Sequence, residues 1–158
     1  GWQVVCPDLL HRPAFAYQQA DEAYRFFMGT GGFERAAEVN ALVTRLHGQC
    51  GKVVVVGYSV GATLAWQCCE NPQCSGIVAC YGSRIRQYTG LTPACPSLLL
   101  FAENDSFALP PVLAQLQGKP GVQLATFAFL DADNSAWQAQ PAQSANLQID
   151  RFLAGLAR

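Results

Sequence analysis

Lys52-Val53-Val54-Val55-Val56-Gly57-Tyr58-Ser59-Val60-Gly61-Ala62-Thr63-Leu64-Ala65 is the stretch whose reading decides the fold. Four consecutive valines suit a strand buried on both faces. The small and apolar residues after Gly61 favour a helix. Between them lies Gly57-Tyr58-Ser59-Val60-Gly61, a G-x-S-x-G pattern in the strand–turn–helix setting that a nucleophile elbow needs. Its glycines leave room for a tight, strained turn that lifts the Ser59 hydroxyl clear of the sheet. Five residues alone are a weak signal, and the flanking strand and helix make it a strong one.

Outward from the elbow, strands and helices alternate. Upstream, Gln3–Cys6 reads as a strand ending at Pro7-Asp8. Tyr17–Met28 reads as a helix closed by Gly29-Thr30-Gly31-Gly32. Glu34–His47 carries Ala36, Val39, Val43 and Leu46 on one face, with Gly48 as its stop signal. Strand Lys52–Val56 and helix Val60–Cys69 follow, then strands Gly76–Cys80 and Ser97–Ala102. A helix near Pro111–Gln117, strand Val122–Phe127 and a helix from about Ala142 to Leu156 complete the chain. Repeated strand–helix units with near-continuous apolar strands predict an α/β fold, its parallel sheet covered by helices on both faces.

With 158 residues the chain suits one domain with a substantial core. It is 51% apolar and 13% charged, about half the charged fraction usual for a soluble domain. A net charge of −1 makes no electrostatic case for nucleic acid or an anionic membrane. No apolar run is long enough to span a bilayer. Chemistry on a small, fairly apolar molecule fits this composition better than binding a polymer. Seven cysteines, an odd number in mostly apolar contexts, suit a reducing cytoplasm better than a disulfide framework. Cys68, Cys69 and Cys74 lie close together without zinc-like spacing, so they read as core thiols and no metal is expected.

Four segments resemble the dienelactone hydrolase family within the α/β-hydrolase fold: Gly1–Leu9, the elbow Gly57–Gly61, Tyr81-Gly82-Ser83, and Pro96–Asp105. They run over nearly the whole chain in the family's order. Family members commonly carry Cys where this chain has Ser59, which makes an esterase-like variant plausible. The resemblance implies a hydrolase of small esters or lactones that needs no cofactor. It also implies an upstream portion outside this sequence, with a central strand between Gln3–Cys6 and Lys52–Val56 and a loop bearing the second oxyanion donor. Either those two strands pair directly, or the sequence is an N-terminally truncated part of the folded protein.

Carried over residue by residue, the resemblance makes Ser59 the nucleophile, the Val60 N–H an oxyanion donor and Asp105 the carboxylate that orients an imidazole. Glu103 is the reserve acid. The family's His falls at Asn134, which has no basic nitrogen and cannot take the Ser59 proton. Two histidines remain. His47 closes the helix before strand Lys52–Val56, at the wrong end, about 17 Å from Ser59 across five residues of strand. His11 follows Gln3–Cys6 on the same sheet edge as Ser59.

Arg84 and Arg86 follow Tyr81-Gly82-Ser83 at that edge, where a guanidinium can pair with a substrate carboxylate. Tyr58, Trp2 and Trp137 either pack on the core or line the pocket. The competing reading is a noncatalytic homologue that binds a small molecule or a protein partner in the inherited pocket.

Overall fold

The computed structural model describes residues 1–103, 105, 107–127 and 140–157. Strands β1 (Val54–Tyr58), β2 (Gly76–Cys80), β3 (Ser97–Ala102) and β4 (Val122–Phe127) form one sheet in the order β1-β2-β3-β4, every pair parallel. Among the described residues there are five α-helices: α1 (Ala20–Gly29), α2 (Ala36–Cys50), α3 (Val60–Gln67), α4 (Leu109–Leu116) and α5 (Gln140–Leu156).

Alternation along the central strands explains the layering. Ile77, Ala79, Leu99 and Phe101 join a core with Val39 and Val43 of α2, Trp66 of α3 and Leu116 of α4. Val78, Cys80, Leu98 and Leu100 point the other way, onto Ala145, Ile149 and Phe152 of α5. A strand whose residues are apolar at both parities must be covered on both faces, and these are. A third cluster, Phe27, Phe33, Ala36 and Leu64, lays α1 and the turn after it over α3. The expected architecture, a parallel sheet between helices in agreement with an α/β-hydrolase fold, is therefore present.

Several local expectations shift. Helix α2 runs through Gly48 and stops at Gly51, whose φ of 72° supplies the left-handed cap while its N–H donates to the His47 carbonyl at 2.8 Å. Gly48 lies inside the helix and offers no such turn. The first turns expected of the two early helices are 3-10, at Tyr17–Gln19 and Gly32–Arg35. Strand β1 extends through Gly57 and Tyr58, which pair with Ala79 and Cys80.

The expected strand Gln3–Cys6 is not one. Gly1–Asp8 is exposed, with Val4 at 86% and Val5 at 54%, and among the described residues pairs with no strand. A groove of about 290 Å³, lined by Val5, Cys6 and Pro7 on one side and Val53–Tyr58 on the other, separates the segment from β1. Apolar alternation favours an extended chain, but only a neighbour's hydrogen bonds make it a strand. Among the described residues no helix is long and apolar enough to cross a membrane.

Candidate active site

Four parallel strands present four C-terminal ends on one edge of the sheet, and Ser59 stands at the first. It has φ 53° and ψ −115°, a backbone state that L-residues rarely adopt. Three backbone hydrogen bonds fix it there. The Ser59 N–H donates to the Cys80 carbonyl at 2.8 Å, and the Ser59 carbonyl accepts from Ala62 N–H at 3.1 Å and Thr63 N–H at 3.4 Å. Gly57 permits the turn, since a Cβ on it would sit 2.0 Å from the Gly61 carbonyl oxygen. Gly61 itself is different: a Cβ there would meet nothing within 4 Å. The tightness expected of both glycines belongs to Gly57.

Val60 opens α3, so its N–H has no carbonyl one turn back and lies at the positive end of the helix dipole. That is the position an oxyanion donor requires. The exposed Ser59 side chain faces a cavity of about 250 Å³. Val60, Ser83, Arg84 and Arg86 share its wall with Tyr24, Phe33 and Thr63. Arg84 Nη2 donates to the Tyr24 hydroxyl at 3.4 Å. Arg86 Nη1 donates to the Ser83 carbonyl at 2.5 Å, and its guanidinium lies 5.0 Å from the centre of the Phe107 ring. The two guanidiniums make the cavity a place for a negative charge. A larger hollow of about 540 Å³ between β4 and α5 has Leu98, Gln123, Gln148 and Arg151 in its walls and, among the described residues, no nucleophile.

Of the residues singled out in the sequence, Ser59, Val60, Arg84 and Arg86 come together. Tyr58 lines the β1 groove and not the Ser59 cavity. Burial pushes its phenol above the ordinary range, with Cys80 and Asp150 adding to the effect. Asp105 and Glu103 follow β3 at the same sheet edge, off the cavity wall; Asp105 is half-buried, and the Glu103 N–H donates to the Phe127 carbonyl at 2.9 Å. Trp2 lines a separate hollow beside Lys52 and Val54. Asn134 and Trp137 lie outside the described residues.

Neither histidine reaches the cavity. The His11 Nε2 pairs with Glu38 Oε2 at 2.8 Å, and Arg35 holds the other oxygen of that carboxylate at 2.8 Å. The hydrogen bond from His11 draws the Glu38 carboxyl below its ordinary pKa. His47 lies in the last turn of α2, at the far edge of the sheet, as its position before β1 implies.

Sequence reading missed Tyr24, Phe33 and Thr63. The first two come from α1 and the turn after it, and only the packing of that layer on α3 brings them to Ser59. Thr63 was legible in principle, since it stands one helical turn after Ser59 on the same face. Its Oγ1 is buried without a hydrogen-bond partner. Among the described residues no group of three or more His, Cys, Asp or Glu side chains is placed to hold a metal ion.

Two comparisons bear on this geometry. An uncharacterized protein of Bacillus subtilis (strain 168), YczH, is 33% identical over 132 residues, which is 82% of this chain and 64% of that protein. The chain thus spans under two thirds of that relative's length. The sequence profile of the dienelactone hydrolase family matches residues 1–143, from the exposed N-terminal segment to the first turns of α5. The chain belongs to the dienelactone hydrolase family.

Proposed function

We propose that the Ser59 cavity is a serine-hydrolase site for a small carboxylic ester or lactone. The observation that supports this most directly is the strained backbone of Ser59, bonded to the end of β2 and opening onto a charged cavity. Strain of this kind costs about 1–3 kcal/mol, and it persists where the surrounding fold over-determines it, often at reactive residues. Ser59 attacks the acyl carbon, the Val60 N–H stabilises the oxyanion, and Asp105 orients whatever group accepts the proton. Arg84 and Arg86 hold a carboxylate on the substrate. A cavity of about 250 Å³ suits a molecule of roughly a dozen heavy atoms or fewer, smaller than the drug-sized ligands of ~300–1,000 Å³ sites.

A second reading rests on the histidines. His11 and His47 both lie off the cavity wall, and Asn134 cannot act as a base. On this reading the chain binds a small anion or a protein partner at the inherited site and does not turn it over.

A fluorophosphonate probe separates the two, because it needs an activated serine. Labelling at Ser59, abolished in Ser59→Ala, supports the hydrolase reading. Labelling at a different serine, with Ser59 untouched, removes the assigned nucleophile. No labelling, together with carboxylate binding lost in Arg84→Met, supports the binding reading.

A further inference from the structure

Among the described residues in the wall of the Ser59 cavity, only Phe33 and Val60 carry no polar side-chain group. Val60 follows the nucleophile and belongs to the elbow. Phe33 comes from another layer, the Gly32–Arg35 turn between α1 and α2. Its side of the wall is apolar, whereas Arg84 and Arg86 bring positive charge.

The Phe33 ring is held in place from several directions. Gly31 has φ 124° and Gly32 φ 54°, a backbone path that side-chain-bearing residues rarely take, and it turns the chain sharply just before Phe33. The turn is closed by the Glu34 N–H, which donates to the Gly31 carbonyl at 3.1 Å, and by Arg35 Nη2, which donates to the Thr30 carbonyl at 2.6 Å. Phe33 stands edge-on to Phe27, with centroids 5.3 Å apart and planes at 79°. Both rings pack with Ala36 and with Leu64 of the elbow helix α3. At 8% exposure the ring is part of the core as well as part of the wall. A densely packed side chain has little room to swing aside for a ligand.

We propose that Phe33 is a specificity-determining residue of the Ser59 cavity, its ring limiting the length of apolar chain that a bound carboxylate carries. The inference rests on the reading of this cavity as a ligand site. Arg84 and Arg86 take the charged end of the ligand. A hydrocarbon segment laid on the hydroxyl- or guanidinium-bearing parts of the wall strips water from polar groups and returns no hydrogen bond. Phe33 and Val60 are the surfaces it can cover without that loss. The ligand class is therefore a short aliphatic carboxylate, or an ester that bears one. Each methylene that reaches the apolar wall tightens binding about fourfold. The first that does not fit presses on a ring that cannot retreat, and the gain stops there.

The test measures dissociation constants by calorimetry for the straight-chain carboxylates from propanoate to decanoate. Affinity for the parent chain should climb with each carbon and then stop at a definite length. Arg84→Met should weaken the whole series, which places these ligands in the Ser59 cavity. Phe33→Leu and Phe33→Val should move the stop outward by about one and two carbons, since a smaller side chain leaves space behind it. Phe27→Leu is the control: it removes the same ring contact from a residue outside the cavity wall, and should keep the parent's stop. Circular dichroism confirms folding, and Phe33→Leu, the milder change, carries the test if Phe33→Val does not fold. An unmoved stop in the Phe33 variants, an equal shift in Phe27→Leu, or no saturable binding of any carboxylate would overturn the proposal. Fluorophosphonate labelling of the same proteins reads the hydrolase proposal separately. An unlabelled Ser59 with a shifted stop keeps the role of Phe33 and removes the hydrolase, and a labelled Ser59 with an unmoved stop does the reverse.

Discussion

Replacing Gly57 by Ala tests the elbow through the fold, with no assumption about substrate. The added Cβ would lie 2.0 Å from the Gly61 carbonyl oxygen, 2.3 Å from the Gly61 carbonyl carbon and 2.7 Å from the Ala62 nitrogen. Real Cβ atoms essentially never approach below 3.0 Å, so the oxygen must retreat by at least 3.0 − 2.0 = 1.0 Å. Every one of these atoms is backbone in the first turn of α3, and none can swing aside as a side chain would. The same turn carries the hydrogen bonds of Ala62 and Thr63 to Ser59, so relief at Gly57 breaks them. Overpacking that forces backbone shifts costs up to about 3 kcal/mol. For a chain of this length that lowers the melting midpoint by about 6–12 °C.

Two other glycines supply the controls. At Gly76 a Cβ would lie 2.4 Å from Leu156 Cδ1, the far end of a flexible side chain, and Gly76→Ala should cost only about 1 kcal/mol. At Gly61 there is open space, and the position is the second of α3, so Gly61→Ala should be neutral or stabilising by up to about 1 kcal/mol. Urea and thermal unfolding followed by circular dichroism give all three. A Gly57→Ala protein that melts within a degree or two of the parent, or a Gly61→Ala protein equally damaged, would refute the steric account of the elbow.

The parent chain should turn over p-nitrophenyl acetate well below the ~10 s⁻¹ typical of enzymes, because no imidazole lines the Ser59 cavity; stopped-flow release of nitrophenolate checks this, and ordinary turnover lost in His11→Ala would identify the overlooked base. Asn134→His should raise that rate by about 10²-fold or more, the usual yield of a positioned acid–base group. Asp105→Asn should then cancel most of the gain, and a gain indifferent to Asp105 would remove it from the site. Arg84→Met should raise KM about tenfold for an ester bearing a free carboxylate and leave a neutral ester unchanged; equal effects on both esters would exclude carboxylate pairing. His11 depresses the Glu38 carboxyl, so its bonded form contributes stability above the ordinary Glu pKa of 4.5, and that contribution fades as pH falls through the lowered folded value. The difference in urea midpoint between the parent and Glu38→Gln should therefore shrink from pH 6 to pH 3, by a small amount because the pair is exposed.

What the sequence revealed of the fold, it revealed through patterns that are local. Gly76–Cys80 and Leu98–Phe101 are apolar at both parities and are covered on both faces, whereas the equally apolar Val53–Val56 runs into the edge strand β1, where Val56 is 43% exposed. Residues Gln3–Cys6 show the limit. Their composition is that of a strand, yet strand identity depends on a partner's hydrogen bonds, which no window of the sequence contains. Gly48 shows another. Any glycine can end a helix, and here the chain continues until Gly51 provides the positive φ that the αL cap uses. Tyr58 follows from pleating: it adjoins Ser59 in sequence, but the last residue of a strand and the residue of the turn after it face different ways, so adjacency is no guide to a shared cavity.

The site divides along the same line. Ser59 and Val60 sit within five consecutive residues, and Arg84 and Arg86 follow from the rule that parallel strands end on one edge. Tyr24 and Phe33 depend on how α1 folds over α3, a matter of Phe27, Phe33 and Leu64 meeting in space. The catalytic base is the hardest part to infer, and the reason is quantitative. The scaffold is written in dozens of apolar positions, most of which tolerate a similar residue at under about 1.5 kcal/mol each. Proton transfer from Ser59 rests on one nitrogen, whose removal costs a serine hydrolase up to about 10⁶-fold, near 8 kcal/mol of transition-state stabilisation. Membership of a family therefore fixes the architecture long before it fixes a rate. On the proposed reading, the two properties separate in this chain at Asn134, and the Asn134→His variant tests it.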